Sequence, residues 1–231
     1  MTFIDSEVVH TVEGEQCEHI FLHTTHGDIA AFLYGTKESL IGETAVLWAG
    51  SLRGEDRAYR SNIIACMVAK NLAEGSIASL LLKYRVNSEL WPCVRDTQAG
   101  IEFLESLGVR RIALVGHSFS GAVVISAAPL SRAVVAVVTL ASQTFGANNV
   151  ARISPRPLLL VHGTKDQRLK PYCSEQIYSW ARIPKELVFL DGASHSLLEC
   201  KDTLLPLLNG WLTEQLGDNV YNVENSDRYT G

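Results

Sequence analysis

Ser118, His195 and Asp166 are residue types that could act together as nucleophile, base and acid. Ser118 lies in RRIALVGHSFSGAVVISAA, residues 110–128. An apolar run from Ile112 to Val115 stops there at Gly116-His117-Ser118, and Gly121 to Ala128 then reads as a helix. A serine at the join of a buried strand and a buried helix suits nucleophilic catalysis. Its hydroxyl is a weak nucleophile near neutral pH and needs an adjacent base. His195, in the loop ASHS, and Asp166, in the loop TKDQ, each follow an apolar run of their own.

Bringing three such loops together requires strands that end at a common edge. The runs TAVLWAG (44–50), SIASLLLKY (76–84), RIALVG (111–116), AVVAVVTLAS (133–142), RPLLLVHG (156–163) and ELVFLDG (186–192) read as strands. They are continuous rather than alternating, as expected of strands covered on both faces. Segments 58–74, 92–108, 119–129, 171–183 and 197–216 have helical length and spacing. Residues 18–34 suggest an antiparallel hairpin turning at Gly27-Asp28. The alternation implies an α/β fold with a mostly parallel sheet of about eight strands and helices on both faces. In such sheets chemistry collects at the carboxyl ends of the strands, where Gly116, Ser118, Asp166 and His195 all fall. A sharp strand-to-helix turn at Ser118 requires small residues two before and two after it, here Gly116 and Ser120.

On these residues the chain resembles the α/β-hydrolases, and among them the small, lid-poor dienelactone-hydrolase-like esterases. The shared pattern is a nucleophile elbow G-x-S-x-G followed in chain order by an acid and a histidine. It spans roughly residues 18–216, with Ser120 in place of the last glycine. Dienelactone hydrolases usually carry a cysteine nucleophile, so a serine favours general ester hydrolysis. His195 would take the proton of Ser118 and return it to the leaving group, while Asp166 orients the imidazole and stabilises its charged form. The resemblance implies an oxyanion hole made by the backbone N–H of Phe119 and a second donor after the third strand. In AGSLRGEDRAYR that donor is Ser51 or Leu52. Lidded relatives insert a cap before the strand that carries the acid. Here only QTFGANNVARISP lies between the two strands, so no cap domain and no interfacial activation are expected.

Other residues compete for these roles. Ser118 could be a helix N-cap, and Ser120 is a rival nucleophile. His117 and His162 are alternative histidines, although His162 ends its strand too early for a base. Asp191 could replace Asp166. Arg53, Arg57, Arg60 and Arg85 would favour a carboxylate-bearing substrate if they reached the pocket mouth; otherwise they form a solvated arch with Glu55 and Asp56. Phe145, Trp48 and Trp91 could line an acyl pocket or belong to the core. His23 and His26 form H-x-x-H, but a hairpin turns them to opposite faces, and no metal or cofactor is called for.

Composition narrows the classes. The 231 residues are 47 % hydrophobic and 19 % charged, with a net charge of −5. This suits one globular domain over 1–217, followed by a polar tail at 218–231. Without clustered cations, nucleic acid is not an expected partner. The five cysteines are scattered and lack a CxxC pair, which fits a reducing cytoplasm. No secretory signal or membrane-length apolar run is seen, so no membrane partner is expected either. The sequence therefore points to a cytoplasmic serine hydrolase of small soluble esters or lactones, with its oligomeric state open. A peptidase-like amide hydrolase, an acyltransferase and a non-catalytic binding protein are the alternatives. Peptidase relatives usually carry a further domain.

Overall fold

The computed structural model describes residues 2–11, 17–35, 43–51, 62–86 and 89–217. Among these residues nine strands form one sheet in the order β1-β2-β3-β5-β4-β6-β7-β8-β9. They are β1 Phe3–Thr11, β2 Cys17–Thr24, β3 Ile29–Tyr34, β4 Thr44–Ala49, β5 Ala78–Leu82, β6 Arg111–His117, β7 Val134–Leu140, β8 Leu158–Gly163 and β9 Lys185–Leu190. The pairs β1–β2, β2–β3 and β3–β5 are antiparallel, and every pairing from β5 through β4 to β9 is parallel. The expected hairpin is present, turning through Gly27 at φ +104°.

The strand count is one higher than the alternation suggests, and the extra strand is β1. FIDSEVVHT mixes acids with apolar residues and leaves Ile4, Val8 and Val9 exposed. Its strand character comes from pairing with β2 rather than from its own pattern.

Five α-helices cover the sheet among the described residues: α1 Ile63–Glu74, α2 Leu90–Ser106, α3 Phe119–Ala127, α4 Tyr172–Trp180 and α5 Lys201–Leu216. One core cluster joins α2, α3 and α4 to one face through Leu47, Leu80, Leu114 and Leu160. The other joins α1 and α5 to the opposite face through Val46, Leu81, Val115 and Val161. Adjacent residues of the central strands therefore feed opposite cores, which is why those strands read as unbroken apolar runs. Between β7 and β8 no strand or α-helix intervenes, as expected from the short connection.

No helix among the described residues is long and apolar enough to cross a membrane. All five cysteines are free thiols, and Cys17, Cys66, Cys93 and Cys173 are buried. Burial, and then the charge of Asp96, push the Cys93 thiol up to about 12. Only the thiolate reacts. A disulfide-exchange reagent is thus expected to titrate one thiol quickly in the native protein, the half-buried Cys200, and five after unfolding. Rapid release of two or more native equivalents would contradict this packing.

Candidate active site

The elbow is built from a strand, one strained residue and a helix. β6 ends at His117, α3 begins at Phe119, and Ser118 between them adopts φ 58° and ψ −120°. For a residue with a Cβ this conformation costs of order 1–3 kcal/mol and persists only where the surroundings enforce it. They do so here: the Ser118 amide donates to Leu140 O at 2.8 Å, and the Gly121 amide donates to Ser118 O at 3.1 Å.

Two glycines admit the close approach that follows. A Cβ on Gly116 would lie 2.2 Å from the carbonyl oxygen of Ser120, and one on Gly121 would lie 2.2 Å from Ser142 Oγ. The tight approach to the β7 end is thus made at Gly121, one residue beyond the usual position. Ser120 is accommodated because its hydroxyl lies against Gly50, where an added Cβ would stand 2.6 Å from Ser120 Oγ. Gly116→Ala forces a methyl into backbone that cannot swing aside. Such overpacking should destabilise the protein by about 1–3 kcal/mol. The expected result is a melting temperature lower by about 3–10 °C and slowed modification of Ser118. An unchanged melting temperature would show that the elbow is less tightly held.

His195 and Asp166 come to the elbow on the loops after β9 and β8. The two loops are joined to each other: the Lys165 amide donates to Ala193 O at 2.9 Å, and Gly163 leaves room for Ala193 O, which would be 2.3 Å from a Cβ there. His195 Nε2 lies 3.0 Å from Ser118 Oγ, and His195 Nδ1 lies 2.7 Å from Asp166 Oδ2. The other carboxylate oxygen, Oδ1, accepts from the amides of Arg168 at 2.8 Å and Leu169 at 2.9 Å. Burial opposes ionisation of Asp166. The hydrogen bonds from His195 and from the Leu169 and Arg168 amides outweigh it and hold the carboxyl below its ordinary range. With Asp166 ionised, Nδ1 of His195 must carry a proton, which leaves Nε2 as the acceptor facing the Ser118 hydroxyl. His117 lies behind His195, donating from Nε2 to His195 O at 2.7 Å, with ring centroids 4.8 Å apart.

Phe119 opens α3, so its amide lacks an intrahelical partner, as first-turn amides do. Ser51 does not fit the second donor position, because its amide donates to Leu82 O at 3.0 Å. The strand neighbour claims that N–H. Leu52 lies outside the described residues, as do Arg53, Arg57 and Arg60. Arg85 does not turn to the pocket. Its Nη2 forms an ion pair with the buried Asp96, its Nε donates to the same carboxylate at 2.9 Å, and its backbone amide adds a third contact.

Phe145 lies on the loop after β7 and is 79 % exposed. That loop is fastened to the elbow helix by Ser126 Oγ, which donates to Gly146 O at 3.2 Å. Trp48 is core, whereas Trp91 at the start of α2 is exposed. Asp191 accepts from Thr164 Oγ1 at 3.0 Å instead of reaching His195. His23 pairs with Asp28, and no cluster of three or more metal-ligating side chains occurs among the described residues.

No protein-family model matches the sequence. The uncharacterized protein YfhR of Escherichia coli K12 is 29 % identical over 126 residues, which is 43 % of this chain and 44 % of that protein. The matched segment thus spans less than half of the length of that curated relative. Among solved structures, the esterase domain of a Rhodothermus marinus protein superposes with a TM-score of 0.72 at 22 % identity, covering 87 % of this chain and all of that one. A dienelactone hydrolase from Anabaena variabilis superposes with a TM-score of 0.71 at 18 % identity, covering 92 % and 99 % of the two chains. At such identities the likeness is one of fold.

Proposed function

From the α/β-hydrolase fold that the chain adopts, we propose that it is a serine hydrolase cleaving carboxylic esters or lactones of small soluble molecules. The observation that carries this reading is the continuous hydrogen-bonded line from Ser118 Oγ through His195 to Asp166, with spans of 3.0 and 2.7 Å. The fold neighbours named an esterase domain and a dienelactone hydrolase support the choice of ester over other acyl bonds.

In the proposed reaction Ser118 Oγ attacks the acyl carbon as its proton passes to His195 Nε2. The negative charge moves to the carbonyl oxygen, near the first-turn amide of Phe119. Leu52 is the proposed second donor. Losing one such donor typically costs about 2.7–4 kcal/mol of transition-state stabilisation. Collapse of the tetrahedral species expels the alcohol, which receives the proton from His195. Water then attacks the acyl-serine by the same route in reverse. In a lactone the alcohol stays tethered to the acyl group. Asp166 remains ionised throughout, as its depressed carboxyl requires.

A panel of p-nitrophenyl esters, aryl lactones and matched anilides tests this reading. The expected outcome is ester or lactone turnover with an initial burst from acyl-enzyme accumulation. Turnover of anilides alone would point to the amide-hydrolase alternative. No turnover and no burst with a folded protein would favour a binding role.

A further inference from the structure

The buried histidine at the end of β8 has no part in the proton transfers above, yet it touches the same carboxylate. His162 Nε2 lies 3.2 Å from Asp166 Oδ2, the oxygen that also receives His195 Nδ1, and 2.9 Å from Leu169 O. On the far side of the ring, His162 Nδ1 lies 2.7 Å from the hydroxyl of Ser174 on α4. His162 and Ser174 are both fully buried.

These contacts fix the tautomer. An ionised carboxylate and a backbone carbonyl can only accept, so Nε2 must carry a proton, which it donates to Leu169 O with Asp166 Oδ2 close beside it. A second proton would place an imidazolium in a fully enclosed site, which is costly unless closely compensated. The neutral ring therefore accepts at Nδ1 from the Ser174 hydroxyl. The hydrogen bonds to Ser174 and Leu169 fix the ring with its Nε2–H on the side where Asp166 Oδ2 lies.

We infer that His162 is a positioning residue for Asp166, clamping its carboxylate between the β8 end and α4 so that Oδ2 stays in line with His195; this rests on the function proposed above. The carboxylate then has three hydrogen-bond donors, two amides on Oδ1 and His195 on Oδ2, and the His162 ring packs its Nε2 3.2 Å from that same Oδ2. The positive N–H edge of His162 beside Oδ2 also limits how strongly Asp166 stabilises the charged form of His195. The other titratable groups nearby are His117 against the His195 ring and Cys173 on α4. The Cys173 thiol is pushed up chiefly by burial, with a contribution from the charge of Asp166.

The test compares wild type, His162→Leu, His162→Gln and Ser174→Ala. The rate of fluorophosphonate modification is measured against pH, normalised to folded protein. Removing that N–H edge from beside Oδ2 concentrates its charge on His195 and favours the protonated, inactive ring. In His162→Leu the rate should fall about tenfold and the acidic limb should move up by about half a pH unit. In His162→Gln, whose amide can donate from a similar place, the limb should return towards wild type. Ser174→Ala should lie between them and serves if the leucine variant fails to fold. A purely structural role would reduce the amount of folded protein and leave the limb unmoved. An unmoved or lowered limb in His162→Leu and Ser174→Ala would overturn the inference, as would nitrogen NMR showing a proton on His162 Nδ1. If folded wild type is not modified at all, the proposed function fails instead. The low-field Nδ1–H resonance of His195 then decides: a downfield move in His162→Leu supports the inference, and no move overturns it.

Discussion

Ser118→Ala is expected to lower ester turnover by about a million-fold, with substrate affinity and melting temperature little changed. The change deletes one oxygen at a position whose backbone is held by its own amide and carbonyl, so the elbow itself should persist. His195→Ala should cost nearly as much. The double variant should be no worse than either single one, because the two groups act as a unit. Steady-state kinetics with a p-nitrophenyl ester, using protein free of wild-type contamination, checks both statements. Additive losses would mean that His195 assists the reaction without serving Ser118.

Asp166→Asn should lower turnover by about ten-thousand-fold, for a reason specific to this carboxylate. Oδ1 accepts two backbone amides, so the asparagine oxygen must stay there and its NH2 must take the place of Oδ2. That NH2 would face His195 Nδ1 as a donor and turn the ring to the tautomer with its proton on Nε2. Nε2 could then no longer accept from Ser118. The NH2 would also face the Nε2–H of His162, adding a repulsion that alanine would avoid. Asp166→Ala removes that repulsion but leaves the Arg168 and Leu169 amides without their acceptor, and should be no more active. The stabilising contribution of Asp166 has a defined sign as well. Its carboxyl is held low in the folded protein, so the contribution is complete above the ordinary aspartate range near pH ~3.9 and lost as pH falls through the depressed value.

Much of this arrangement is legible from the residues. The unbroken apolar runs give the parallel strands, and loops at their carboxyl ends carry Ser118, Asp166 and His195 to one edge. The elbow signature survives the change to Ser120, although its accommodation depends on Gly121 and on the space at Gly50, which are tertiary facts. β1 is hidden because an edge strand needs only backbone pairing, and its acids and valines follow no clear period. The choice between Ser51 and Leu52 as second oxyanion donor stays open in the sequence, because the partner of the Ser51 amide across the sheet, Leu82, leaves no trace in the local residues. His162 is dismissed as too early in its strand to be a base. Its contact with Asp166 depends on how the turn after β8 folds back and on Ser174 from the next helix, and neither can be read from residue spacing.

The central claim is that His195 activates Ser118. The most direct measurement is the intact mass of wild type, Ser118→Ala and Ser120→Ala after incubation with a fluorophosphonate. A single adduct on wild type and Ser120→Ala, absent from Ser118→Ala, is the predicted result. An adduct that persists in Ser118→Ala, or none on folded wild type, would contradict it.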